Sequence, residues 1–180
     1  MRNQKGFTIS ELLVAMTIGG IVMVTAYSMY MSQTRSSKIT EEVSGLQQNL
    51  RAAMYHIERE LRMAGYNPTR STSGAFRFTI ISSSNSVTFT MDNSENGALD
   101  PGETITYFFR ATDNTLIRNA GTNQVVADNI SNLSFAYLNA SGTATTDGAT
   151  VRSVDVTLTA SGDGHTRQLV TRVRCRNMGL

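Results

Sequence analysis

Three observations predict an α+β fold, with one long N-terminal helix packed on an antiparallel β-sheet head. The first is an apolar run near the start of the chain in which Glu11 is the only charge. The second is a helical spacing of apolar residues that continues from that run to Ala64. The third is a change, from Asn67 onward, to short alternating runs separated by Ser, Asn, Gly and Asp. The 180 residues suffice for one compact head plus one extended element.

The helix comes first. From Phe7 to Met31 there are 25 residues without Lys, Arg, Asp or His. As a helix they measure about 37 Å, more than the roughly 30 Å of a hydrocarbon core. Beyond them Ile39, Val43, Leu46, Leu50, Met54, Ile57, Leu61 and Ala64 recur every three or four residues. Polar residues such as Arg35, Lys38, Glu41, Glu42 and Arg51 fill the other faces. One helix is therefore expected over Thr8–Ala64, apolar all round in its first half and amphipathic in its second. Gly65 is placed to cap it, and Pro68 prevents its resumption. The charged group Glu58, Arg59, Glu60 and Arg62 reads as a solvated face.

The head follows. Strands are expected at Phe76–Ile81, Ser86–Met91, Thr104–Arg110, Thr115–Arg118, Ser134–Leu138, Val151–Ala160 and Gln168–Arg176. Ser82–Asn85 and Thr112–Asn114 carry hairpin-turn composition, and "SGDGHT" joins the last two strands. Links this short make antiparallel neighbours. The helix would lie across one face of that sheet.

Composition narrows the function. The net charge is +2, and Arg2 and Lys5 account for both positives. The rest of the chain is neutral, so steering by net charge is not expected. Arg167, Arg172, Arg174 and Arg176 alternate with Val and Cys as the solvated side of a strand does, and exposed aromatics are not interleaved with them. That does not read as a nucleic-acid surface. The single cysteine, Cys175, forms no disulfide within the chain and reads as a packed strand residue. His56 and His165 stand in no nucleophile motif, and there is no phosphate-binding glycine loop or zinc spacing. The chain is therefore not read as an enzyme.

Glu11 needs its own explanation. A carboxylate inside a membrane helix is costly and marks a functional candidate. A plain anchor gives it no role. A secretory signal with a cut near Val24-Thr25-Ala26 does not fit, because the apolar run continues past that point. The stretch "KGFTISELLVAMTIGG" closely resembles the N-terminus of type IV prepilins and pseudopilins. "MRNQKG" is similar to their basic leader, which a prepilin peptidase removes after glycine. The resemblance implies cleavage after Gly6, N-methylation of Phe7, and a match of Glu11 to the glutamate at the fifth mature position. It also implies the type IV pilin fold, with residues 1–6 as leader, 7–31 as transmembrane and filament-core helix, 32–66 as its amphipathic continuation and 67–180 as the head.

"IERELRMAGY" at Ile57–Tyr66 resembles PilW-type minor pilins. "VVADNISNLSFAYLNA" at Val125–Ala140 is similar both to these and to the J-type pseudopilins of type II secretion. "VRSVDVTLTA" and "TRQLVTRVRCRN" continue that likeness. Major pilins usually carry a proline where this helix reads "MVTAYSMYM", which favours a minor pilin or a pseudopilin. The implied partners are prepilin peptidase, other pilins, the inner-membrane assembly platform and the lipid bilayer. The implied location is the inner membrane, N-terminus in the cytoplasm, and then the pilus at the cell surface. An uncharged-core filament would make a lone carboxylate expensive, and the new amine of Phe7 on a neighbouring subunit would neutralise Glu11. A membrane-anchored extracytoplasmic binding module or enzyme is the alternative of another class.

One further motif stands apart. "DNSENGALDPGE", Asp92–Glu103, follows the register of a twelve-residue calcium loop. Asp92 is first, Ser94 third, Asn96 fifth, Gly97 at the turn, Ala98 seventh through its carbonyl, Asp100 ninth and Glu103 twelfth. Ser94 departs from the Asp or Asn usual at the third position. Its flanks read as strands, so a polar hairpin loop remains an equal reading.

Overall fold

The computed structural model describes residues 6–71, 76–79 and 84–178. It has one long helix followed by strands paired throughout in antiparallel fashion. The helix, α1, runs Ile9–Met63, one residue shorter at each end than expected. The chain divides into two compact units, Met1–Glu42 and Val43–Leu180.

In the first unit, as far as Met31, α1 carries apolar residues on every face, with Glu11 the one charge. Leu12, Leu13, Val14, Ile18, Ile21, Val22 and Val24 are all exposed. Four hydroxyls in and just beyond this run bond back to helix carbonyls. Thr17 donates to the Leu13 carbonyl, Thr25 to those of Ile21 and Val22, Ser28 to Thr25 and Thr34 to Tyr30. These bonds leave an outer surface made of hydrocarbon.

In the second unit one face of α1 is buried. Leu46, Leu50, Met54, Ile57, Leu61 and Ala64 enter the core, as the spacing predicts, and Ala53 joins them; of the same predicted stripe Ile39 is exposed and Val43 half-buried. Gly65 ends the helix with φ 77°, the left-handed conformation a glycine takes without cost. A β-carbon there would also sit 2.6 Å from the Met178 Sδ.

The strands form two sheets, where one was expected. β1 (Phe78–Thr79), β2 (Ser86–Thr90), β3 (Thr104–Arg110), β4 (Thr115–Asn119) and β5 (Asn123–Ala127) make a meander in that order. β6 (Ile130–Leu138), β7 (Ser153–Gly162) and β8 (His165–Arg174) make a second, three-stranded meander. The chain leaves the first sheet at Asp128-Asn129, where Asn129 takes φ 57°. The sheets are tied by the Phe135 amide donating to the Ser84 carbonyl, 2.8 Å, and by the Tyr137 hydroxyl donating to the Ser86 carbonyl. Of the expected first strand, Phe76–Ile81, residues 80–81 lie outside the described residues, as do 82–83 of the expected turn. β5 was not expected, because its "NQVVA" has polar, exposed residues at its start and lacks the alternation of a half-buried strand.

The hairpins obey turn chemistry. β7 and β8 are joined by Asp163 and Gly164 alone, at φ 48° and 80°, a pair of positive values that suits a two-residue hairpin. Asn114, φ 54°, closes the β3–β4 turn. In the β6–β7 loop Gly148 lies against β1, where a β-carbon would stand 2.0 Å from the Phe78 carbonyl oxygen.

Candidate functional site

Gly6 and Phe7 precede the helix and are exposed, Phe7 by 89%. Thr8 follows as the helix cap. The Glu11 amide donates to Thr8 Oγ1, and the Thr8 amide donates back to Glu11 Oε2 at 2.9 Å. This is a capping box, with the Thr8 hydroxyl giving the same carboxylate oxygen a second bond at 2.9 Å. Glu11 thus lies one turn from Phe7, with its carboxylate turned toward the start of its own helix. Thr8 is a residue the sequence reading passed over. The spacing T-x-x-E ahead of an apolar run was the available signal.

The helix carrying these residues is long and apolar enough to cross a membrane by length and composition. The apolar run closes with Tyr27 and Tyr30, both 66% exposed, and with Met31. Arg35 and Lys38 follow within two turns.

The Asp92–Glu103 loop connects β2 and β3. Asp92 is fully buried and Glu103 nearly so. Asp92 accepts the Asn96 amide on Oδ1 and the Gly97 amide on Oδ2. Glu103 accepts the Asn93 and Ser94 amides on Oε1 and the Asp100 amide on Oε2. The Asp100 and Ser94 amides hold its carboxyl below the usual 4.5. The Ser94 hydroxyl stands between Asp92 Oδ1, 3.4 Å, and Asp100 Oδ2, 3.1 Å. Asn96 donates to Asp100 Oδ2 through Nδ2, and its Oδ1 receives the Ala98 amide. The residues of the expected calcium register lie in one loop, with the Asp92 and Glu103 carboxylates engaged by backbone amides and that of Asp100 by the Ser94 and Asn96 side chains. Among the described residues no group of three or more His, Cys, Asp or Glu side chains gathers as a metal centre.

A third cluster was read differently from sequence. Glu60 belongs to no solvated face: it is 9% exposed and meets the sheet. The Tyr107 hydroxyl donates to Glu60 Oε2 at 2.7 Å, and Arg118 Nε lies 3.0 and 2.9 Å from the two carboxylate oxygens. Tyr107 and Arg118 are register partners on the core side of β3 and β4. Burial first, and then the Glu60 bond, push the Tyr107 phenol far above its usual range. Glu60 stands three residues after Ile57 and four before Ala64, so helical spacing itself puts it on the buried arc. Glu58 and Arg62 do form the expected surface pair, at 3.1 Å. Arg172 pairs with Asp155 across the outer side of β7 and β8. Cys175 is buried just beyond β8, and its thiol is pushed up to about 12 by burial.

The geometry describes a helix with an apolar surface over its first half, a capped carboxylate in its first turn, and a β head. Residues 1–27 match the prokaryotic N-terminal methylation motif, which covers the junction at Gly6-Phe7 as well as Glu11. Residues 40–175 match prepilin peptidase-dependent protein B. The class is thus that of type IV pilin-like proteins that carry an N-terminal methylation motif. Within it, the chain belongs to the prepilin peptidase-dependent protein B family.

Proposed function

We propose that this chain is a PilW-type minor pilin, a structural subunit that initiates assembly of a type IV pilus or decorates its filament. One observation carries the reading: the basic leader, Gly6-Phe7, Glu11 and the apolar run fall in one register within the matched methylation motif. In this reading prepilin peptidase cuts after Gly6, and Phe7 becomes a methylated α-amine that keeps its charge. The subunit waits in the inner membrane with its N-terminus in the cytoplasm. It then joins other pilins through the assembly platform, and Glu11 meets the Phe7 amine of a neighbour. The mass of the native N-terminus tests this. A chain beginning at methyl-Phe7 supports the reading, whereas an intact Met1 or a start near Tyr27 rejects it. Recovery of the subunit with secretion pseudopilins, and not with sheared pili, would assign it to a type II secretion system instead.

A second reading concerns the Asp92–Glu103 loop. We propose calcium as its ligand, held by Asp92, Ser94, Asn96, the Ala98 carbonyl, Asp100 and Glu103. The support is an all-oxygen donor set in calcium-loop register, with Ser94 bridging Asp92 and Asp100. Three carboxylates suit a modest affinity, on the order of 10⁻⁴–10⁻³ M. The expected result is a rise in melting temperature at millimolar calcium that Asp92→Asn abolishes. No shift and no binding heat would leave a loop stapled only by its own amides.

A further inference from the structure

A pair of cations lies where the apolar run of α1 ends. Met31, Arg35 and Lys38 fall at i, i+4 and i+7, so they share one helix face and line one groove with Ser32 and Thr34. Both cations are exposed, about 4.5 Å apart along the axis. Neither pairs with an acid among the described residues, although Glu41 and Glu42 stand one turn further on.

The length of the apolar span gives this pair a place. The 20 residues Leu12–Met31 measure about 30 Å as helix, the thickness of a hydrocarbon core. Headgroups add roughly 5–8 Å on each side of that core. Arg35 lies four residues, about 6 Å, past Met31, within that layer. Lys38 lies about 10 Å past it and can reach back along its flexible stem. Tyr27 and Tyr30 sit at the boundary, where aromatic rings with a polar tip are favoured. Glu41 and Glu42 then fall outside the layer, where an anionic surface repels them. The order of aromatic, cationic and acidic residues along the axis is therefore complementary in charge to an anionic bilayer surface.

We propose that Arg35 and Lys38 form a docking site for the phosphate of an anionic phospholipid at this end of the span. The site fixes the depth at which the subunit is held before assembly. It rests on the reading of α1 as a membrane span, and the experiment separates the two.

The full-length chain is reconstituted into nanodiscs of equal phosphatidylcholine and phosphatidylglycerol, and the lipids it retains are counted by native mass spectrometry. At about fivefold per surface cation, phosphatidylglycerol should be retained at least fivefold over phosphatidylcholine. Arg35→Gln with Lys38→Gln should lose that preference. Arg51→Gln with Arg59→Gln, on the exposed helix face of the head, should keep it. Equal retention of both lipids by the native chain overturns the proposal. So does loss of preference in the head variant, or displacement of the lipid by millimolar inorganic phosphate. Alkaline carbonate extraction from pure phosphatidylcholine vesicles reports the span alone. Resistance of the native chain and the Arg35/Lys38 variant there upholds the span whatever the lipid count, and release of the native chain overturns both readings.

Discussion

Glu11 and Glu60 lie on the same helix and face the same difficulty, a carboxylate set among apolar neighbours. Glu11 is served by the amide and hydroxyl of Thr8, three residues away, and stays exposed. Its local partners satisfy hydrogen bonds but bring no positive charge. That leaves room for the amine of another subunit in a filament. Glu11→Gln or Glu11→Ala is therefore expected to leave membrane insertion intact and to stop incorporation, read as subunit in the membrane fraction and none in sheared filaments. Normal incorporation would refute the pairing. Glu60 takes the opposite course, with a guanidinium and a phenol supplied by the sheet across the core. Glu60→Ala strands Arg118 and Tyr107 and should cost about 3 kcal/mol, the scale of a broken buried pair. For a unit of this size that lowers the melting temperature by roughly 10 °C. A drop under about 2 °C would mean that Arg118 finds water instead.

Among the elements, the hairpins were legible to the degree that glycine and asparagine dictate backbone sign. Asp163-Gly164 and Asn114 are turns for reasons written in their side chains. β5 was not legible. Val125 is 56% exposed there, and edge position rather than alternation makes the segment a strand. The acid sensitivity of the head is shared among the β2–β3 loop, Asp113 in the β3–β4 turn and Asp155 in β7. The Asp100 and Ser94 amides depress the Glu103 carboxyl, and Arg172 depresses that of Asp155. A depressed carboxyl stabilises the fold fully above its ordinary value and loses that contribution as pH falls through the lowered one. Thermal stability should therefore decline from about pH 5 toward pH 3. Glu103→Gln should flatten that decline. An unchanged slope would show that Glu103 contributes nothing to it.

At the scale of the molecule, the helix and its buried stripe could be read from periodicity alone. So could the antiparallel character of the strands, which short links impose. The split into two sheets could not, because it turns on long-range bonds such as Phe135 to Ser84 that leave no periodic trace. Glu60 was misread because charge outweighed position, and its partner Arg118 lies 58 residues further along the chain. The N-terminal motif was the most legible part, since its residues fall within one short register matched by the methylation-motif family and need no tertiary fold to be brought together. The loop at Asp92–Glu103 was legible as a loop, and its amide network was not.

The packing of Leu46 against Gly162 has a consequence in time. A β-carbon on Gly162 would lie 3.6 Å from Leu46 Cδ2, so the two positions meet in the finished core. A ribosome making about 5–20 residues per second reaches Gly162 several seconds or more after Leu46. Throughout that interval the Leu46 end of the stripe lacks β7, the strand that ends at Gly162. In the reading of this chain as a membrane-held pilin subunit, the lipid surface or a chaperone would shelter the stripe meanwhile. The interval is a window in which the unfinished head is open to proteolysis and to wrong partners.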